Sequence, residues 1–224
     1  AVWQALSSST LNNHTAKYYY QDEDGRGGVT ATSPNYPITG YVIKKYNNPM
    51  DAWTGTGARH IQKAYPIIRY AEILLSYAEA LNNLTGPHTV ELDGQPYTMS
   101  RDKEEIKKAF NQVRYRAGLP GLTANQLNST PEVQKQIERE RMVEFLWENR
   151  RFYDVRRWGI YEETEQEPIR GMNPDGPTKE TYYQRVIPSS SSFLTRVVDK
   201  RSVWVPIPRN EMRRLPSLDQ NPGY

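Results

Sequence analysis

Cysteine is absent from this 224-residue chain, which excludes disulfides, thiol nucleophiles and zinc–thiolate sites while leaving the compartment open. No run of about 18 apolar residues occurs, so no helical membrane span is expected. Ala1 opens without a Met, a basic stretch or an apolar stretch, so no targeting signal is expected within the chain. The net charge is only +3 and dispersed, too weak a basic signal for nucleic-acid binding. Histidine is scarce as well: His14, His60 and His88 stand far apart, at no metal-ligand spacing, and read as surface or loop residues. What the chain does hold is tyrosine, 16 residues of it, so much of any core must be aromatic.

The densest stretch runs from Lys135 to Trp158 and reads as a helix that opens a few residues earlier. Thr130 suits a cap, Pro131 the first turn, and Glu132 the positive helix end. At 100° per residue, Val133 and Ile137 share a stripe with Glu140, Arg141, Glu144 and Glu148. Met142, Val143, Phe145 and Leu146 cover the other faces. A helix apolar around most of its circumference is expected to be buried, and its charges to be paired. Three readings of the acids compete. Two facing carboxylates among Glu140, Glu144 and Glu148 suit glycoside hydrolysis. Three Glu on one helix suit metal ligation, although no His sits at the spacing that di-metal bundles use. The third reading, favoured by the excess of Arg, is a structural ion-pair lattice using Arg114, Arg141, Arg150 and Arg151.

Taken in order, residues 1–65 read as a loop-rich, aromatic segment, with Lys17–Tyr20 as a short strand. Asp22, Asp24 and Gly25 resemble the start of a calcium loop, but the remaining ligands are missing. Residues 66–158 read as a helical scaffold. Near Pro66 a helix begins with Ile67, Ala71, Leu74, Ala78 and Leu81 on one stripe, widened by Ile68 and Leu75 and by Tyr70, Ile73 and Tyr77. It is expected to lie sandwiched between neighbours. Asp93-Gly94 predicts a small hairpin. A second helix follows, capped by Ser100, with Ile106, Phe110, Val113 and Ala117 inward and Gly118 as its stop. Residues 159–224 read as irregular, with a short strand over Arg201–Ile207 confined to an edge by its prolines. The resulting expectation is a mainly α fold of paired helices with long irregular loops and a few short strands.

Several of these segments together resemble the SusD/RagB family. They are Tyr65-Pro-Ile-Ile-Arg-Tyr-Ala-Glu-Ile-Leu-Leu-Ser-Tyr-Ala-Glu-Ala-Leu-Asn82, Phe110 to Leu119, Ile137 to Phe145, Glu148 to Trp158, Val205 to Glu211, and Gln220-Asn-Pro-Gly-Tyr224. Thr39-Gly-Tyr41 with Lys45-Tyr46 fits the segment before the first helix. The resemblance covers about Thr39 to Tyr224 and implies tetratricopeptide-like helix pairs forming an α–α superhelix. It also implies a non-enzymatic, surface-exposed outer-membrane lipoprotein of Bacteroidetes-type bacteria. Such a protein binds nutrient, mostly oligosaccharide such as a starch-like glycan, and passes it to a SusC-like TonB-dependent transporter. No cofactor is implied. Contact with the membrane would run only through a lipid anchor, and the chain would be the C-terminal portion of a longer protein whose N-terminal half is absent.

By the same resemblance Glu72, Glu79, Glu140, Glu144, Arg151 and Asp154 belong to the scaffold, and ligand contacts fall on variable loops. Chemistry alone then selects Trp3, Tyr36 and Trp53 as ring faces for stacking on sugar CH groups, with Asn12 and Arg59 for hydroxyl contacts. A helical protein-interaction scaffold that uses its aromatics only as core is the alternative function.

Overall fold

The computed structural model describes residues 57–188 and 196–224, with residues 26, 37–41, 43, 45, 46, 48 and 51, and the backbone alone of 4–6 and 13–15. Its elements, in chain order, are strands β1 (Gln4–Leu6) and β2 (Asn13–Thr15), helix α1 (Tyr70–Asn82), strands β3 (His88–Leu92) and β4 (Gln95–Met99), and helices α2 (Lys103–Arg116), α3 (Ala124–Leu127), α4 (Thr130–Glu144), α5 (Arg150–Arg157) and α6 (Tyr161–Gln166). Then come strand β5 (Gly171–Met172), helix α7 (Lys179–Tyr182), strand β6 (Arg185–Val186), a 3-10 turn (Lys200–Val203) and helix α8 (Arg209–Arg214). The expected mainly α fold with a few short strands is what the chain adopts. Two compact units result: a helical unit, Pro66–Arg157, and a terminal unit that joins Ala1–Tyr65 with Trp158–Tyr224.

In the helical unit, α1 starts at Tyr70, later than the apolar pattern that begins at Ile67. Arg69 is its N-terminal flanking residue, in extended conformation (φ −124°, ψ 153°), and its side chain makes no cap. That guanidinium is used elsewhere, as described below. α1 is one-sided, contrary to the expected sandwich. Leu75 and Ala78 are fully buried, yet Tyr70, Ile73 and Tyr77 stay exposed, as do Ile67 and Ile68. The core is completed by Ile106, Ala109, Phe110 and Val113 of α2, by Leu122 and Leu127, by Val133 and Ile137 of α4, and by Phe145.

Hydrogen bonds fix the helix directions. Buried Asn82, at the end of α1, accepts from Arg101 Nη2 (2.9 Å), just before α2, and donates from Nδ2 to the Thr130 carbonyl (3.0 Å), the first residue of α4. At the opposite end, Arg69 and Arg116 meet on Glu144, the last residue of α4. Both α2 and α4 therefore run against α1 and parallel to each other. The segment from Ala117 to Ser129 makes this possible by turning back along α2: the Leu122 N–H donates to buried Asn111 Oδ1 (2.8 Å), and Arg101 Nη2 donates to the Leu127 carbonyl (3.1 Å).

Caps follow the sequence in kind but not always in position. The β3–β4 hairpin turns through Asp93 and Gly94, both at positive φ, as their sequence predicts. α2 is capped by Asp102, whose carboxylate accepts from the N–H groups of Glu104 and Glu105, and Ser100 is not the cap. Gly118 (φ +69°) ends α2 as expected: its N–H donates to the Tyr115 carbonyl and that of Leu119 to the Arg114 carbonyl, both at 3.0 Å. For α4 the cap is Ser129 instead of Thr130.

The stretch read as one long helix is two. α4 ends at Glu144, and a turn with Trp147 (φ 65°) and Asn149 (φ 60°) in the left-handed region precedes α5. A positive φ suits Asn and is unusual for Trp. Met142, Val143, Leu146 and Trp147 are exposed, so this stretch is not buried all round.

In the terminal unit the segment after Trp158 is more ordered than its composition suggested, holding three short helices and a two-stranded ladder. Gly171 lies so close to Thr39 that a Cβ there would stand 2.6 Å from the Thr39 carbonyl oxygen. The Met172 N–H donates to that same oxygen (2.9 Å), and the Tyr182 hydroxyl donates to the Gly40 carbonyl (2.7 Å). Arg201–Ile207 is not a strand. Pro206 lacks an N–H, and side-chain amides take the place of a ladder: Gln220 binds the N–H and carbonyl of Ile207 (2.8 and 3.0 Å), and Asn221 Nδ2 donates to the Val205 carbonyl (2.7 Å).

Candidate functional site

The acids that sequence alone left open between catalysis and scaffold lie in the helical unit, and each meets an arginine. Glu140 (4% exposed) accepts from Arg114 at 2.8 Å. Glu144 is held by Arg69 (2.7 Å) and Arg116 (2.6 Å), and Glu148 by Arg69 (2.8 Å). Arg69 also donates to the Glu144 main-chain carbonyl (3.0 Å), closing the free end of α4. Its guanidinium and that of Arg141 both stand over the Phe145 ring, at 5.1 and 5.2 Å. Burial works against the charge on Arg69, but the hydrogen bonds and charges of Glu148 and Glu144 outweigh it, and the group is held more basic than an ordinary arginine.

A second set of pairs joins α5 to α1 and α4. Arg141 grips Asp154 with two parallel bonds, Nε to Oδ2 at 2.9 Å and Nη2 to Oδ1 at 3.1 Å, and reaches Ser76 Oγ at 3.2 Å. Arg157 donates to both oxygens of Glu79 (2.5 and 2.8 Å) and to Asp154 (2.9 Å). The Glu79 hydrogen bonds do most to raise the pKa of Arg157, burial opposes them, and Asp154 adds to them. Arg150 pairs with Glu72 at 2.9 Å. The turn between α4 and α5 builds this set, because in one continuous helix Arg141 and Asp154 would lie about 20 Å apart along the axis.

These groups border an open cavity of about 460 Å³ over Ser76, Ala80 and Tyr153. Carboxylates do line a hollow, then, but each one there is neutralised by a guanidinium within hydrogen-bond reach. None of these acids stands beside a second free carboxylate, as glycoside hydrolysis requires. Among the described residues no group of three or more metal-ligating side chains gathers. The lattice reading holds, with changes of membership. Arg114, Arg141 and Arg150 take part, and Arg151 pairs with none of the described acids. Arg69, Arg116 and Arg157 carry pairs the sequence did not single out. The missed signal was the i, i+3 spacing of Asp154 and Arg157 and the position of Arg69 at the foot of α1.

Of the ligand-contact candidates, Trp3, Asn12, Tyr36 and Trp53 lie outside the described residues, as do Asp22, Asp24 and Gly25. Arg59 is exposed. His60 and His88 are exposed, and His60 Nε2 stands 3.4 Å from Lys63 Nζ.

Comparison with known proteins decides the family. The SusD family model matches residues 1–224. The chain belongs to the SusD family. It is 26% identical over 231 aligned positions to a SusD-like protein P2 of Formosa agariphila, covering 92% of this chain and 39% of that protein. Among solved structures it is similar to a SusD-like protein (BF3747) from Bacteroides fragilis, with a TM-score of 0.50 and 34% identity over 70% of this chain and 25% of the other. It is also similar to BT4246, with a TM-score of 0.59 and 27% identity over 85% of this chain and 29% of that one. This SusD-family chain thus spans well under half the length of the relatives it matches. The family is one of non-catalytic, substrate-binding proteins, in keeping with a lattice whose acids are all engaged.

Proposed function

We propose that the protein to which this chain belongs binds glycan at the cell surface without chemical turnover and hands it to a SusC-like TonB-dependent transporter. The match of the SusD family model across the whole chain carries this reading. Members of the family are outer-membrane lipoproteins that work with SusC-like transporters and bind glycans, and among the described residues no helix is long and apolar enough to cross a membrane. A starch-like oligosaccharide is the ligand class proposed, and a lipid anchor the means of attachment. Trp3, Tyr36, Trp53, Asn12 and Arg59 remain the proposed contacts, because indole and phenol rings stack on sugar CH groups while amide and guanidinium groups serve the hydroxyls.

The chain is further proposed to be the C-terminal portion of a longer protein. Supporting this is the exposed apolar face of α1, where Tyr70, Ile73 and Tyr77 lie 69%, 55% and 41% exposed beside Ile67 and Ile68. A patch of this kind marks a surface that something covers, and the relatives extend far beyond the matched region. The same face also suits the alternative of a protein-interaction scaffold. Titrating soluble starch, xylan, mannan and laminarin against intrinsic Trp fluorescence separates the two: saturable quenching by one of them supports glycan binding, and a flat response to all of them refutes it.

A further inference from the structure

The terminal unit holds a cavity of about 590 Å³, lined among others by Glu162, Asp199, Lys200, Arg201, Trp204 and Pro222. Its volume lies within the range of small-molecule sites, and one wall is rigidly built. Asp199 accepts from the Arg201 N–H (3.2 Å) at the start of the 3-10 turn and pairs with the Arg201 guanidinium (3.1 Å). That guanidinium stands 5.4 Å from the Tyr224 ring centre, and the Tyr224 hydroxyl donates to the Trp204 carbonyl (3.2 Å). Gly223 (φ +93°) passes so near that an added Cβ would meet Arg201 Cβ at 2.6 Å. The backbone around Trp204 is therefore pinned on both sides, yet its indole remains 57% exposed.

The charges divide into used and free. Asp199 and Arg201 neutralise each other, whereas Glu162 and Lys200 have no ion-pair partner among the described residues. An exposed Trp204 on a pinned backbone, with a carboxylate and an ammonium that have no ion-pair partner among the described residues, presents a flat apolar face, an acceptor and a donor around one cavity.

We infer that this cavity is a saccharide site separate from the N-terminal aromatic residues. Trp204 stacks on the CH face of a sugar ring, the Glu162 carboxylate accepts hydrogen bonds from hydroxyls, and the Lys200 ammonium donates to hydroxyl or ring oxygens. Two acids facing two bases leave no net charge, so the site takes a neutral glycan. The inference rests on the glycan-binding reading above.

Isothermal titration calorimetry of the 224-residue chain with maltohexaose, cellohexaose, xylohexaose and mannohexaose tests it, together with Trp204→Ala, Trp204→Phe and Glu162→Gln. The expected result is saturable binding of one hexasaccharide, weakened about fivefold to tenfold by Trp204→Ala, less by Trp204→Phe, and measurably by Glu162→Gln. Melting temperatures should hardly move, since the indole is exposed; if Trp204→Ala alone disturbs folding, Glu162→Gln decides. Binding that neither Trp204→Ala nor Glu162→Gln weakens overturns this site and leaves glycan capture standing. No binding of any of the four overturns this site, whereas the fluorescence titration with starch, xylan, mannan and laminarin decides glycan capture separately. A sulfated carrageenan hexasaccharide that binds more tightly than every neutral one overturns the neutral-glycan assignment.

Discussion

Replacing Arg141 or Asp154 should show that the lattice braces the helical unit through buried charge. Both side chains are nearly sealed, 5% and 4% exposed. Taking one charge from such a pair leaves the other stranded, which typically costs about 3–5 kcal/mol. The two ends are not equivalent. After Arg141→Met, Asp154 keeps one bond from Arg157 (2.9 Å to Oδ1) and loses only the Arg141 contacts, which places the loss near 3 kcal/mol. After Asp154→Leu, Arg141 keeps the Ser76 hydroxyl at 3.2 Å and the face of the Phe145 ring but no carboxylate among the described residues, which places the loss nearer 5 kcal/mol. The double variant removes both charges, and Arg157 still holds Glu79 with two bonds, so its expected loss is no more than about 2 kcal/mol.

Independent effects would instead sum to about 8 kcal/mol, so the gap is wide. Urea unfolding followed by far-UV circular dichroism reads it, because the longer helices lie in this unit. A loss near 5 kcal/mol is a large part of a typical stability, so the weaker single variant is best measured at low temperature, starting below 1 M urea. Single changes costing under about 1 kcal/mol each, or a double variant whose loss equals the sum of the singles, would refute the brace.

Other consequences are quicker to check. Glu140→Gln with Glu144→Gln removes charge from three arginine pairs and should lower stability by about 1–3 kcal/mol for each of the two less exposed pairs, those of Arg69 and Arg114, read as a fall in melting temperature; glycan-hydrolysing activity present in the wild type and abolished by this change would restore the catalytic reading. Gly118→Ala puts a Cβ at φ +69° with no heavy atom within 4 Å, so its cost, about 1 kcal/mol by denaturation, is backbone strain alone; a neutral result contradicts the helix stop. The Lys63 ammonium, followed by the Ile61 N–H (2.8 Å), holds the Asp51 carboxyl below the usual carboxylate range. A depressed folded pKa stabilises above the unfolded value near 4 and loses that contribution as pH falls through the folded value. The melting-temperature gap between wild type and Asp51→Asn should therefore be steady from pH 7 to 5 and close on further acidification; a gap that widens in acid has the wrong sign.

How far the sequence could be read depended on the range of the physics involved. The Asp93-Gly94 turn and the Gly118 stop depend on a few neighbouring backbone angles, and both were legible. Cap identity was legible only to within a residue or two: Asp102 and Ser129 each stand near an equally plausible Ser100 or Thr130, and which hydroxyl or carboxylate caps is settled by where the helix axis must point to pack. Arg69 illustrates the limit. At a helix start it would be ranked as a poor cap, and nothing local says that it closes the end of a helix 75 residues away.

The break after Glu144 escaped for the same reason. Phe145 to Asn149 contains neither Gly nor Pro, so period and propensity continue the helix through it. What ends the helix is long-range pairing, since folding back lets Asp154 and Arg157 reach Arg141 and Glu79. The excess apolar surface on α1 was legible as residues but not as exposure. Periodicity counts the faces a helix is able to bury, and whether Tyr70, Ile73 and Tyr77 are covered depends on polypeptide that is not in the pattern. The charged stripe behaves in the opposite way. Its acids and arginines could not lie beside Val133 and Ile137 unless they paired with one another, because each unpaired buried charge costs several kcal/mol, a large part of a domain's stability. Their structural role followed from composition and spacing before any partner was known.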